Sequence, residues 1–216
     1  MSTLFPLSLV HRVTYKTAME RNSPDSYLKL FELIGKLKHL KRTGWVLNDV
    51  KDPETVASHM YRMAVMVMCL PAEVDVDRNK CIKMALVHDM GESIIGDLTP
   101  HCGVSTGDKA KLEMSAMKDI SSLLNDDGKE IFNLFEEYES GQSAESTLIK
   151  DLDKFDMILQ AFEYEKSDNR LGELQEFFDS TCGKFKTKIV QGWEHALIEG
   201  RKAKILTQEV NKNNSI

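Results

Sequence analysis

The sequence predicts an all-α fold, a single helical bundle. Apolar residues recur at spacings of three and four through most of the chain, which is the period of an amphipathic helix. No run alternates polar and apolar residues between turn residues, as a half-buried strand would. No long-period repeat and no linker divides the chain. We therefore expect one domain over residues 25–206, preceded by an amino-terminal extension (1–24) and followed by a tail (207–216).

Taken in order, the first helix begins at Pro24 and carries Leu30, Leu33 and Leu37 on one apolar face. Asp52 and Pro53 predict the start of a second helix, over about 53–70, with Asp as the cap and Pro in the first turn. This helix is apolar nearly all round, so we expect it to be central. A third helix is predicted from about 78 to 95 and ends in the turn at 96–100. Further helices are predicted at about 107–125, 129–139, 143–166, 170–180 and 184–206.

The composition is that of a soluble globular protein. The chain has 216 residues, of which 42% are hydrophobic and 29% charged, and this excludes wholesale disorder. The longest strongly apolar run, residues 63–70, is far shorter than the roughly 20 residues of a membrane span. The four cysteines are far apart and form no CxxC pair, which argues against a cysteine zinc site. Reduced thiols favour a cytoplasmic protein. Because no apolar run is long enough to span a membrane, we expect no membrane partner.

The amino-terminal 24 residues allow two interpretations. They contain a short apolar stretch, three basic residues and no acidic residue before Glu20. This composition resembles a weak organellar transit peptide, and the alternative is an unstructured extension. We exclude the segment from the fold.

The charge distribution argues against a nucleic acid polymer as partner. The net charge is −6, and residues 1–51 contain nine Lys or Arg against four Asp or Glu, which leaves nineteen against thirty in the remainder. Binding to a phosphate backbone needs a dense basic surface. The basic segment could bind a small anion, or it could be a solvated helix face.

Polar residues on apolar helix faces are the candidates for function, because burying an unpaired charge costs several kcal/mol. His59 lies on the central helix, and His88 and Asp89 directly follow an apolar stretch, with Glu92 one turn later. Asp153 falls on the buried side of the helix at 143–166, whereas Asp151 points elsewhere. Taken singly, each has an ordinary structural explanation, such as a hydrogen-bonded core histidine or an ion pair.

Together, His59, His88, Asp89 and Asp153 could form a metal site of the kind that helix bundles build from inward-facing side chains. Nitrogen and oxygen ligands without thiolate suit a divalent ion such as manganese, cobalt, iron, zinc or magnesium. His101 could be a ligand of a second ion.

These residues occur in the order His, then a His-Asp pair, then a distant Asp. This order resembles the pattern of the HD-domain superfamily of metal-dependent phosphohydrolases. Longer motifs resemble its 5'-deoxynucleotidase branch over about residues 25–200. The motifs are RTGWV at 42–46, ETVASHMYRMA at 54–64, HDMGE at 88–92, GDLTP at 96–100 and KDLDKFDMILQA at 150–161.

The resemblance implies an all-helical protein, usually a homodimer, that hydrolyses deoxyribonucleoside 5'-monophosphates. It assigns the four residues above to the metal, and Glu92 and Asp97 to catalysis. Glu92 would handle the proton of the attacking water, and Asp97 would bind the sugar 3'-hydroxyl. Arg42 would contact the phosphate, and Trp45 would crowd the 2' position. In the bacterial branch the Arg is followed directly by Trp, whereas Thr43 and Gly44 intervene here.

The residue types suit this reaction. Phosphate monoesters hydrolyse so slowly that accelerations approaching about 10²¹ are needed, and proton transfer by side chains gives only about 10² to 10⁴. A metal ion must contribute much of the rest. The alternatives are a phosphodiesterase or nucleotide pyrophosphohydrolase on the same ligands, and a nucleotide-binding protein without turnover. No P-loop, dinucleotide-binding GxGxxG or GxSxG motif is present.

Overall fold

The structure, a computed structural model, describes residues 22–213 as a bundle of α-helices. The predicted extension lies outside the described residues except for 22–24. In the described part there is no β-strand, only an isolated bridge between Lys41 and Thr55. The helices are α1 (Pro24–Lys36), α2 (Thr43–Leu47), α3 (Val56–Met68), α4 (Arg78–Val87), α5 (Glu92–Ile95), α6 (Thr106–Ser122), α7 (Asn125–Ser140), α8 (Ala144–Ser167), α9 (Gln175–Thr181) and α10 (Lys188–Asn213), with a 3₁₀ turn at Pro100–Cys102.

Helix α8 is the centre of the bundle. It packs against α3, α4, α7, α9 and α10, and it begins at a capping box in which Ser143 and Ser146 satisfy each other's backbone N–H groups. Asp151 caps the start of α10, since its Oδ2 accepts hydrogen bonds from the backbone N–H groups of Lys186 and Thr187, both at 2.7 Å. The prediction that Asp151 points away from the candidate metal site is therefore confirmed.

The second helix begins later than predicted, and its cap is Thr55 instead of Asp52. Thr55 and Ser58 form a capping box at the start of α3. The reason is tertiary: the backbone N–H of Arg42 donates to the Glu54 carbonyl at 3.1 Å, which keeps residues 53–55 extended beside residues 41–42. Asp52 instead pairs with Lys41 at the surface, at 2.9 Å. The predicted central position is confirmed, because α3 buries Val56, Met60, Met63, Ala64 and Val67.

The third predicted helix is interrupted. It ends at Val87, and residues 88–91 form a turn before α5. The backbone N–H groups of Met90, Glu92 and Ser93 bond to carbonyls three residues earlier, which tightens the chain relative to an α-helix. His88 therefore follows one helix and Glu92 begins the next, so the predicted continuous helix does not join them.

Further differences are local. The helix predicted over 170–180 begins at Gln175, and the one predicted over 184–206 begins at Lys188. The five-residue helix α2 was not predicted, because so short a segment carries no periodic pattern. The last helix continues to Asn213, past the predicted end near residue 206. Among the described residues, none of the helices combines the length and apolar character that crossing a bilayer requires.

Candidate metal centre and active site

Two buried histidines are the nitrogen donors of the candidate metal site. His59 lies on α3 and His88 follows α4, and their ring centroids are 5.6 Å apart. His59 Nδ1 donates to Asp156 Oδ2 at 2.7 Å, and His88 Nδ1 donates to the Ala85 carbonyl at 2.9 Å. Because Nδ1 carries the hydrogen-bonding proton in both rings, both Nε2 atoms are available as ligands.

Two carboxylates face these nitrogens. Asp89 Oδ2 lies 3.3 Å from His88 Nε2 and 3.9 Å from His59 Nε2. Asp153 Oδ1, from α8, lies 3.3 Å from His59 Nε2. The structure thus brings together all four residues predicted as metal ligands.

The donor set fits a divalent ion. Both Nε2 atoms are buried and have no hydrogen-bond partner within residues 22–213, and a buried polar atom without a partner costs free energy. Ligand atoms of His59, His88 and Asp89 lie within 4.8 Å of one another. Imidazole nitrogens and carboxylate oxygens suit a borderline or hard divalent ion, so a metal held here would satisfy both orphaned atoms.

The acids of this cluster are held in their ionised form. Burial alone would raise the pKa of Asp89, but His88 lowers it to about 2. Burial also opposes ionisation of Asp153, but His59 and His88 hold its pKa far below the usual value. Burial and Arg42 oppose a charge on His59, whereas Asp153 and Asp156 raise its pKa to about 9. A bound metal would replace that proton at Nε2.

Glu92 begins α5 and is buried at the same end of the bundle. One of its oxygens, Oε2, has no hydrogen-bond partner in the described part of the chain. Burial, with further contributions from Asp89 and Asp97, raises the pKa of Glu92 to about 11. The carboxyl group therefore holds a proton at neutral pH unless a cation offsets the neighbouring charges.

Arg42 is a cation beside the candidate metal ligands. Its Nη1 lies 3.6 Å from Asp89 Oδ2, and its Nε lies 4.0 Å from Glu54 Oε1. Burial would lower the pKa of Arg42, but Asp153, Asp89 and Asp97 raise it well above its ordinary value. A half-buried, permanently charged guanidinium beside the metal ligands can bind phosphate oxygens.

A cavity of about 390 Å³ opens beside Arg42, which is within the usual size range of small-molecule sites. Trp45 and Asp97 also line it, so Arg42 and Trp45 share one cavity although Thr43 and Gly44 lie between them in the sequence. Exposed His101 lines this cavity and is absent from the ligand clusters found among the described residues. The cavity also contacts Gly44, Asn48, Thr99, Pro100, Met157, Glu176, Phe177 and Ser180.

Asp97 is hydrogen-bonded to the start of α2. Its Oδ2 accepts a hydrogen bond from the Thr43 backbone N–H at 2.6 Å, and the Thr43 hydroxyl donates to the Asp97 carbonyl at 2.7 Å. Asp97 therefore fixes the start of α2, the helix that carries Trp45. One of its two carboxylate oxygens is engaged in this contact.

Sequence reasoning missed several residues around the site. Tyr138 donates to Asp153 Oδ2 at 3.2 Å, Glu54 accepts from the Trp45 indole, and Asp156 anchors His59. Phe177 packs on Trp45 with a centroid distance of 4.4 Å. The only available signal was that Glu54 and Asp156 fall inside the quoted motifs. Tyr138 and Phe177 carry none, since both come from amphipathic helices outside the motifs.

Comparison with known proteins gives consistent matches. The HD domain family matches residues 34–196. The chain is 48% identical to 5'-deoxynucleotidase HDDC2 of Dictyostelium discoideum, covering 82% of this chain and 100% of the relative. It is 47% identical to the Homo sapiens protein of that name, covering 77% and 82%. A solved structure of a conserved hypothetical protein from Pyrococcus furiosus superposes with a TM-score of 0.67 at 35% identity, covering 81% and 99%.

Proposed function

The chain belongs to the HD domain family, and from this membership and the site geometry we propose that it is a metal-dependent 5'-deoxynucleotidase. It hydrolyses deoxyribonucleoside 5'-monophosphates to a deoxynucleoside and phosphate. The observation that carries this function is the convergence of His59 and His88 Nε2 with two carboxylates, next to a cavity lined by half-buried Arg42. Six relatives at 44–48% identity are each named as a 5'-deoxynucleotidase.

The metal would be held by His59, His88, Asp89 and Asp153. When bound, it supplies positive charge to the phosphoryl oxygens and lowers the pKa of water. Manganese, cobalt, iron, zinc and magnesium all remain candidates, because the donor set accommodates each of them.

The protein's own groups divide the remaining tasks. Arg42 binds two phosphate oxygens through its planar fork and orients the phosphoryl group. With a divalent ion offsetting the charges of Asp89 and Asp97, buried Glu92 would be ionised and could accept the proton of the attacking water. Asp97 binds the sugar 3'-hydroxyl through the part of its carboxylate that does not cap α2. Trp45 closes the cavity near C2', so that a ribose 2'-hydroxyl fits poorly.

The test is release of phosphate from deoxyribonucleotides and ribonucleotides by protein loaded with Mn²⁺. We expect release from the deoxyribonucleoside monophosphates and much less from their ribose counterparts. Asp153→Ala should lose both Mn²⁺ binding and turnover, whereas Asp151→Asn, on the same helix, should keep both. If the metal-loaded protein cleaves a phosphodiester or pyrophosphate bond and leaves the monophosphate intact, the proposed reaction is wrong.

Light scattering would test the homodimer, which stays a prediction.

A further inference from the structure

Asp156 lies on the far side of His59 from the candidate ion. Both Asp153 and Asp156 come from α8, three residues apart, and they approach opposite nitrogens of the same ring. Asp153 Oδ1 is 3.3 Å from Nε2, and Asp156 Oδ2 is 2.7 Å from Nδ1. The side chains of His59 and Asp156 are both completely buried.

A second charged group holds Asp156 in place. Arg62 Nε donates to Asp156 Oδ1, and Arg62 Nη1 donates to Glu163 Oε2 at 2.8 Å. Each oxygen of the Asp156 carboxylate therefore accepts from a different side chain. Arg62 has only donors, so Asp156 Oδ1 must be the acceptor in that hydrogen bond. The other hydrogen bond forms when His59 Nδ1 donates to Asp156 Oδ2.

The two histidines of the site are anchored differently. His88 Nδ1 donates to a backbone carbonyl, which no substitution at Ala85 can remove. His59 Nδ1 depends on a carboxylate side chain. Only His59 therefore has an anchor that mutation can alter without touching a predicted ligand.

We propose that Asp156 is a positioning residue of the metal centre: with Arg62 behind it, it fixes His59 in the tautomer that leaves Nε2 free to bind the ion. This inference rests on the metal centre of the proposed function. Acceptors at the second ring nitrogen of a ligating histidine set its tautomer and orientation, and their loss typically lowers metal affinity about 10- to 100-fold.

Asp156 is better placed as this acceptor than as a ligand. Ligand atoms of Glu54, His59 and Asp156 also lie within 4.8 Å of one another. However, Glu54 Oε1 accepts from the Trp45 indole at 2.9 Å, and the guanidinium of Arg62 contacts Asp156. A cation here would face another cation across the same carboxylate.

The substitution Asp156→Asn tests the proposal. The amide has one acceptor and one donor group where the carboxylate had two acceptors, so it cannot accept from both His59 and Arg62. We expect Mn²⁺ affinity, measured by equilibrium dialysis, to fall about 10- to 100-fold. Adding Arg62→Met removes the competing donor, so the amide oxygen can turn to His59. The double variant should therefore bind Mn²⁺ more tightly than Asp156→Asn alone.

Asp151→Asn is the matched control, since Asp151 is an equally buried aspartate on α8 that bonds to the start of α10. It should keep wild-type Mn²⁺ affinity. The proposal is overturned if Asp156→Asn binds Mn²⁺ within twofold of wild type, or if the double variant binds no more tightly than the single one. If Asp156→Asn binds one Mn²⁺ ion fewer than wild type but binds the remaining ions with unchanged affinity, Asp156 is a ligand, and the proposal is also overturned.

A measurement on the wild-type chain covers the case in which Asp156→Asn does not fold. Nitrogen NMR of the Zn²⁺-loaded protein reports which ring nitrogen of His59 carries the proton. We expect Nδ1 to be protonated, and a bare Nδ1 contradicts the proposal. Failure of wild type to bind any divalent ion would instead refute the metal centre itself, so the two failures are distinguishable.

Discussion

The indole of Trp45 donates its Nε1 hydrogen to Glu54 Oε1 at 2.9 Å. The same oxygen lies 4.0 Å from Arg42 Nε, so one carboxylate positions the two side chains proposed to contact sugar and phosphate. Burial and the charge of Asp156 raise the pKa of Glu54. Arg42 and the hydrogen bond from the indole partly offset this by lowering it. Tyr164 and Phe177 pack on the indole at centroid distances of 5.3 and 4.4 Å, which leaves Trp45 little freedom to move.

Replacing Trp45 by Leu should weaken discrimination against ribonucleotides. The smaller side chain leaves room near the 2' position, so the ratio of kcat/KM for deoxyribo- over ribonucleoside monophosphates should fall about tenfold or more. Glu54→Gln is the control, because it keeps an acceptor for the indole and should retain most of the discrimination. An unchanged ratio in folded Trp45→Leu protein would remove Trp45 from sugar selection.

Glu92→Gln should separate metal binding from catalysis. The amide cannot accept the proton of water, so kcat should fall by about 10² to 10⁴ while Mn²⁺ affinity stays near that of wild type. Steady-state kinetics and equilibrium dialysis measure the two effects. Glu113→Gln offers a comparison, since that glutamate pairs with Lys109 at 3.4 Å and has no assigned role. Full activity in Glu92→Gln would exclude Glu92 as the base.

Arg42→Lys should lower kcat/KM and weaken inhibition by inorganic phosphate, and Arg42→Met should lower both further. Lysine keeps the charge but loses the planar fork that contacts two oxygens. Inhibition assays with inorganic phosphate measure the affinity for the phosphate group directly. The neighbouring Lys41 pairs with exposed Asp52 and does not line the cavity, so Lys41→Met should behave as wild type. Equal effects at both positions would argue for general electrostatics instead of a phosphate contact.

Arg201→Met should destabilise the fold without a direct effect on the site. Arg201 donates to both oxygens of buried Glu165, at 2.7 and 2.8 Å, and to Gln175 Oε1 at 2.7 Å. Removing the arginine leaves a buried carboxylate uncompensated, which costs about 3–5 kcal/mol. The free energy of unfolding in urea measures this. The double variant Arg201→Met/Glu165→Met should lose less unfolding free energy than Arg201→Met alone. A larger loss would contradict the explanation that an uncompensated buried carboxylate causes the destabilisation.

The four cysteines should differ in reactivity. Cys81 is buried, and burial raises the pKa of its thiol to about 12, whereas Cys69, Cys102 and Cys182 are exposed. The thiolate is the reactive form, so Cys81 should stay unmodified between pH 7 and 9 while the other three react. Hydrogen bonds from Thr99 lower the pKa of Cys102, which should therefore react early. Peptide mass spectrometry after alkylation identifies each site, and labelling of Cys81 in folded protein would contradict its burial.

The helices and the four candidate ligands could be predicted from the sequence because their signals are local. Helical periodicity identifies α3 and α8, and a polar residue on an apolar face stands out wherever it occurs. His59, His88, Asp89 and Asp153 all meet this criterion, and the structure places them together.

Predictions at the ends of elements were less accurate, because those ends depend on contacts from elsewhere in the chain. Residues 53–55 resemble a helix start, yet their pairing with residues 41–42 keeps them extended. The pattern of residues 78–95 predicts one continuous helix, yet that helix ends at Val87 and the chain turns at residues 88–91.

The sequence alone determined that this chain is a helical bundle whose buried faces carry two imidazoles and two carboxylates. Only the tertiary structure decided what surrounds them: Asp156 behind His59, Glu54 beneath Trp45, Tyr138 beside Asp153 and Asp97 at the start of α2. These partners are contributed by residues from 9 to 97 positions away. A side chain's hydrogen-bond partner depends on how helices pack, and no periodicity in the sequence records that packing.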